Sequence, residues 1–119
     1  APGVLYGSGM PLYHSAAGMV GMATCFISGI TYLIRRKFSA STWLSDIRDY
    51  NVTCAQYIGE LCRYVLATPD KNDDANNTLR LCFGNGLRPE YWEKFQVRFG
   101  IDAIFEFYGA TEAPGGFSN

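Results

Sequence analysis

Ala103-Ile104-Phe105-Glu106-Phe107-Tyr108-Gly109-Ala110-Thr111-Glu112 is the stretch from which the fold is read. Its first five residues alternate with period two and are rich in branched and aromatic side chains, the pattern of a β-strand. Gly109 is expected to turn the chain, leaving Tyr108, Gly109, Ala110, Thr111 and Glu112 at the strand's C-terminal end. Such an end offers a ring to stack on, a hydroxyl donor and a hard oxygen ligand, groups that suit a nucleotide and its magnesium. The same residues also read as a core aromatic followed by a helix opening at Thr111 and Glu112, and a short motif alone does not separate the two readings.

Working back from that strand, Gly100 closes a helix that starts at Pro89 and turns Trp92, Phe95 and Phe99 inward. Before it stands Gly84-Asn85-Gly86-Leu87-Arg88, preceded by a strand from Leu79 to Phe83. The polar stretch Thr68 to Thr78 echoes a calcium loop in Asp70, Asn72 and Asp74. Ala75 stands where such a loop needs glycine and Leu81 where it needs glutamate, so a solvated connector is expected. Further upstream, Ile58, Leu61, Cys62, Val65 and Leu66 recur at helical spacing until Pro69 stops them, after a strand from Val52 to Ile58. Leu44, Ile47 and Tyr50 mark one face of a helix that Ser39 or Ser41 can cap, and Ile30 to Ile34 reads as a strand. Arg63, Arg88 and Arg98 are expected in surface or helix-end ion pairs.

Regular alternation of strand and helix argues parallel strands joined by right-handed crossovers, a doubly wound α/β sheet. The loops after the third and fourth of these strands then open on one edge, where open α/β sheets bind ligands. Gly84, Asn85 and Gly86 would therefore face Tyr108 to Glu112 across a shared rim.

Residues 1–14 are turn-rich, and the run from Ser15 to Ile34 carries no charge before Arg35-Arg36-Lys37. Its length and flanks resemble a membrane span. Gly18, Gly21, Gly29, Thr24, Ser28 and Thr31 dilute it, and Ser28-Gly29 is a natural stop, so a buried helix from Ser15 to Ile27 and then a strand fit better.

A composition that is 48% hydrophobic, 18% charged and 15% aromatic over 119 residues is that of one packed domain or a piece of one. Net charge −1 leaves no basic excess for a phosphate backbone, which argues against nucleic acid as partner. Cys25, Cys54, Cys62 and Cys82 form no Cys-x-x-Cys pair and have His14 as the one imidazole, so reduced, packed thiols are expected rather than zinc. The sequons Asn51-Val52-Thr53 and Asn76-Asn77-Thr78 read as chance matches in an intracellular chain. A chain opening on Ala1 and ending at Asn119, just past its most informative loop, is expected to be a fragment of something longer.

Taken together, Pro11-Leu12-Tyr13-His14-Ser15, Arg36-Lys37-Phe38-Ser39-Ala40-Ser41, Gln56-Tyr57-Ile58-Gly59-Glu60-Leu61-Cys62-Arg63-Tyr64, Gly84-Asn85-Gly86-Leu87-Arg88-Pro89, Arg98-Phe99-Gly100 and Phe107-Tyr108-Gly109-Ala110-Thr111-Glu112 are similar, in the same order, to blocks of the adenylate-forming enzymes. Within them the resemblance is to the very-long-chain acyl-CoA synthetases also called fatty acid transport proteins. Ala113-Pro114 departs from the glycine and asparagine that follow the glutamate in many animal members.

The resemblance implies that Tyr108 stacks on adenine, that Thr111 bonds the α-phosphate, and that Glu112 ligates magnesium. It makes Thr111 and Glu112 the catalytic pair. Gly84-Asn85-Gly86 would form the other wall of the slot, with Gly109 and Ala110 beside the nucleotide and His14 a wall or gate on the acyl and CoA approach. It further implies ATP, fatty acid and CoA as substrates. The chain would be a single α/β subdomain, residues 1–119, of the AMP-binding domain, inactive without the phosphate loop and C-terminal lid that it lacks. The parent would be associated with the endoplasmic reticulum, peroxisomal or plasma membrane. The alternatives are a non-catalytic nucleotide-binding or interaction module, and a ligase for another carboxylic acid such as a bile or aryl acid.

Overall fold

The structure, a computed structural model, describes residues 3–9, 23–110 and 113–118. In chain order the elements are β1 (Val4–Tyr6), α1 (Ala23–Ser28), β2 (Thr31–Leu33), α2 (Ala40–Asp49), β3 (Cys54–Ile58), α3 (Gly59–Leu66), β4 (Leu81–Asn85), α4 (Pro89–Phe99), β5 (Ala103–Ala110) and β6 (Ala113–Ser118). They form one sheet in the order β2-β1-β3-β4-β5-β6. Every pairing from β2 to β5 is parallel, and β6 alone pairs antiparallel, onto β5.

This order is the doubly wound pattern the alternation predicts. The chain steps one way from β1 to β2 and the other way through β3, β4 and β5, so right-handed crossovers carry α1 over one face and α2, α3 and α4 over the other. Contacts of α2 with α3 and of α3 with α4 agree with a single helical layer. Between that layer and the sheet lies the core, where Tyr6, Ile47, Ala55, Cys82, Phe95 and Phe99 are each almost wholly buried. Trp43 packs on the rings of Phe95 and Phe99 with centroids 5.6 and 5.3 Å away. Phe95 and Phe99 thus take the inward places their spacing assigns, and Trp92 packs partly buried at the margin.

Several boundaries move for local reasons. The helix expected from Ser15 to Ile27 lies mostly outside the described residues; its described end is α1, which stops at Ser28, with Gly29 turning the chain. Because β2 then pairs with β1, the uncharged run is not one continuous helix. Among the described residues no helix is long and apolar enough to cross a membrane. Ser39 is the N-cap of α2 by backbone, but its hydroxyl lies 3.2 Å from that of Ser41 and makes no cap bond. Tyr50, expected inward with Leu44 and Ile47, is 55% exposed because the helix ends at Asp49 and its period no longer applies.

The third expected strand is displaced by two residues, to Leu81–Asn85. Asn77 Oδ1 takes the Leu79 N–H at 2.8 Å, and the ladder starts only where Leu81 meets Cys54. Val52 and Thr53 likewise precede β3, after Asn51 at φ 53°. The connector after α3 is not simply solvated: Asp74 is buried and pairs with Arg98 in the last turn of α4, a helix-end ion pair of the kind expected, though with little of the Arg98 side chain exposed. Cys25, Cys62 and Cys82 are buried and all four cysteines are unbridged, as expected.

Candidate nucleotide site

β4 and β5 end on the same edge of the sheet. Their parallel register sets Gly84 opposite Glu106, so Gly84-Asn85-Gly86 leaves β4 beside the part of β5 that carries Tyr108. The expected turn at Gly109 is not formed. Backbone hydrogen bonding continues β5 through Ala110, and Ala110 pairs with Ala113 across a hairpin into β6, with an irregularity between Tyr108 and Ala110. β5 ends at Ala110 and β6 begins at Ala113, with Thr111 and Glu112 between them in sequence. Both lie outside the described residues, as do His14 and the side chains of Tyr108 and Ala110.

The Gly84–Gly86 wall is described in full. Gly84 sits against β3 so closely that an added Cβ would fall 2.0 Å from the Tyr57 carbonyl oxygen, and one on Gly59 would fall 1.8 Å from that of Gly86. Glycine is needed at both places because two backbones approach with no room for a side chain. Gly86 itself has φ 77°.

Beneath the wall, Glu106 accepts hydrogen bonds from Leu87 and Tyr57. The Leu87 N–H donates to Oε1 at 2.9 Å and the Tyr57 hydroxyl donates to Oε2 at 3.2 Å. The Tyr57 hydroxyl also lies 3.3 Å from the Phe105 carbonyl oxygen. Burial, then the Glu106 charge and hydrogen bond, push the Tyr57 hydroxyl well above its usual range, so it stays protonated and donating. Burial pushes the Cys62 thiol up to about 12, with the Glu106 charge adding to it, so this sulfur is not a nucleophile at neutral pH.

At the same edge a cleft of about 450 Å³ is lined by Gly59, Glu60, Arg63, Gly86, Arg88 and Tyr91. Its guanidinium groups are paired, Arg63 with Glu60 at 2.8 Å and Arg88 with Glu90 at 3.8 Å, the exposed helix-end pairs the sequence suggests. A larger cleft of about 640 Å³ involves Leu66, Ala67, Asp70 and Lys94. The two clefts share Arg63 and Tyr91, and the larger one continues along α3 as far as the connector at Asp70 and Lys71. No group of three or more metal-ligating side chains occurs among the described residues.

Glu106, Tyr57 and Gly59 carry no role in the sequence reading beyond strand, helix and resemblance. The available signal was period two: Glu106 is a charged residue sharing a strand face with Ile104, which is buried against the helical layer.

Residues 3–119 match the family described as AMP-binding enzyme. Over all 119 residues the chain is 49% identical to long-chain fatty acid transport protein 1 of Homo sapiens, of whose length it covers 18%. It is 43% identical over 105 residues to the very long-chain fatty acid transport protein of Saccharomyces cerevisiae, 88% of this chain and 16% of that protein. A benzoate CoA ligase from Burkholderia xenovorans shares the fold at TM-score 0.79 and 21% identity, over 93% of this chain and 23% of that one. O-succinylbenzoate coenzyme A synthetase from Bacillus subtilis, solved in complex with AMP, does so at TM-score 0.73 and 21% identity, over 98% of this chain and 24% of that one. The chain thus spans about a fifth of the length of the relatives it matches, and it belongs to the AMP-binding enzyme family.

Proposed function

We propose that this chain is the adenine and metal half of an adenylation site in a fatty acyl-CoA synthetase of the fatty acid transport protein type. The observation that carries the proposal is the adjacency of Gly84-Asn85-Gly86 and the Tyr108 strand at the carboxyl edge of paired β4 and β5. The identity to fatty acid transport proteins over the whole chain supports the fatty acid as substrate.

In the reaction, a carboxylate oxygen of the fatty acid bonds to the α-phosphorus of ATP as the bond to the bridging oxygen breaks and pyrophosphate leaves. The CoA thiolate then attacks the acyl carbonyl and AMP departs. Gly84-Asn85-Gly86 and Tyr108 hold the adenine between backbone and ring, while Gly109 and Ala110 line the slot. Thr111 donates to the α-phosphate, where charge accumulates during transfer. The donor set suits magnesium: that ion takes one or two protein carboxylates and fills its sphere with phosphate oxygens and water, so Glu112 suffices. When bound, it neutralises charge on the phosphates. His14 forms a wall or gate on the acyl and CoA approach. The parent enzyme is associated with an intracellular or plasma membrane, and residues 1–119 by themselves do not turn over.

Titrating AMP with magnesium into wild type and Tyr108→Ala tests the reading. Weak binding by wild type that Tyr108→Ala reduces on the order of tenfold, as loss of a stacked ring should, supports it. Equal binding by both, or by neither, leaves the chain a non-catalytic module.

A further inference from the structure

We propose that Glu106, braced by Tyr57, is a positioning residue for the nucleotide wall: it fixes the Gly84–Gly86 loop against β5 and so sets the width of the adenine slot. The inference rests on the nucleotide reading above and adds a residue to which neither the motifs nor the resemblance gave a role. The β4–β5 ladder runs as far as Gly84 opposite Glu106, and β4 ends at Asn85. Leu87 lies beyond both. Its N–H nevertheless reaches Glu106 Oε1 at 2.9 Å, so the carboxylate holds the loop where the ladder has stopped holding it.

The chemistry of the pair explains why a carboxylate stands here. Leu87 N–H and Tyr57 O–H both donate here, and an ionised carboxylate accepts at both oxygens, so one side chain holds the two groups at once. A charged acceptor also strengthens each bond. Tyr57 is only 3% exposed, which fixes Oε2 and leaves Oε1 aimed at the loop. From the other side Gly59 closes on the Gly86 carbonyl. A loop gripped on both flanks is ready for a flat base before the base arrives, which lowers the ordering cost of binding.

ATP/pyrophosphate exchange by the full-length polypeptide carrying this chain tests the role, with KM measured separately for ATP and for the fatty acid. Glu106→Ala should raise the ATP KM on the order of tenfold, the worth of one lost charge-assisted hydrogen bond, while the fatty acid KM moves less than about twofold. Glu106→Gln should return the ATP KM to within about threefold of wild type, since its amide oxygen still accepts from Leu87 and its NH₂ can donate to the Tyr57 oxygen. Should Glu106→Ala fail to fold, Tyr57→Phe carries the test, with a smaller rise confined to the ATP KM. An unmoved ATP KM in the folded variants, or an equal rise in both KM values, overturns the positioning role and leaves the nucleotide reading standing. Wild type without exchange removes the nucleotide reading and this inference with it.

Discussion

At Arg98 the guanidinium reaches Asp74 Oδ2 at 2.9 Å and Asp70 Oδ1 at 3.0 Å, and donates to the carbonyl oxygens of Val65 and Leu66 at 3.3 and 3.2 Å. One side chain on α4 thereby caps the last turn of α3 and ties down the connector that follows. Asp74 is buried and only 11% of the Arg98 side chain is exposed, so removing the guanidinium strands a buried carboxylate. Arg98→Ala should cost about 3 kcal/mol in urea unfolding, and Asp70→Ala, whose carboxylate is exposed, under about 1 kcal/mol.

Burial alone would raise the Asp74 carboxyl, but the Lys71 N–H and the hydrogen bond and charge of Arg98 outweigh it and hold the group below its ordinary value. A depressed carboxyl contributes stability that is complete above the unfolded-state value of about 3.9 and is lost as pH falls through the folded one. Wild type should therefore lose Tm as pH drops below about 4, and Asp74→Asn should show a shallower acid limb. None of this was visible in the spacing of Asp70, Asn72 and Asp74, because the partner sits on another helix and local spacing carries no information about it. Glu106 was hidden for the same reason: Leu87 and Tyr57, which donate to it, come from a loop and another strand.

Among the elements, α2, α3 and α4 were legible because each repeats apolar residues at helical spacing, and α4 carries Pro89 and Gly100 at its ends. The edges of the sheet were not. β1 is three residues, Val4 to Tyr6, set in a turn-rich segment and too short to display a period. β6 contains Pro114, Gly115 and Gly116, which argue against a strand, and it forms by pairing with β5 at the sheet's edge. That pairing also explains why β5 runs past Gly109: the hairpin supplies hydrogen bonds that the sequence of β5 alone does not announce. At the junction of β3, α3 and β4 the backbones are too close for any side chain. Gly59→Ala should cost about 1–3 kcal/mol by overpacking, read in urea unfolding, and should weaken AMP binding by displacing the Gly86 carbonyl.

Across the whole molecule, the helical layer leaves the two sheet faces unequal. Ala55, Cys82 and Ile104 face α2–α4 in the core, whereas Phe105, on the other face of β5, is 43% exposed. The parallel order and the shared edge of β4 and β5 followed from strand–helix alternation alone, and that edge is where the candidate site lies. The proposed fatty-acid substrate rests on the ordered motifs and the identity to fatty acid transport proteins, since no local chemistry distinguishes one adenylated acid from another.

Fatty-acid-dependent ATP/pyrophosphate exchange, measured side by side for the full-length polypeptide and for residues 1–119, tests the adenylation reading most directly. The account predicts exchange by the full-length polypeptide, its loss on Glu112→Ala, and none by residues 1–119. No fatty-acid-dependent exchange by the full-length polypeptide, exchange unaffected by Glu112→Ala, or turnover by residues 1–119 alone would contradict it.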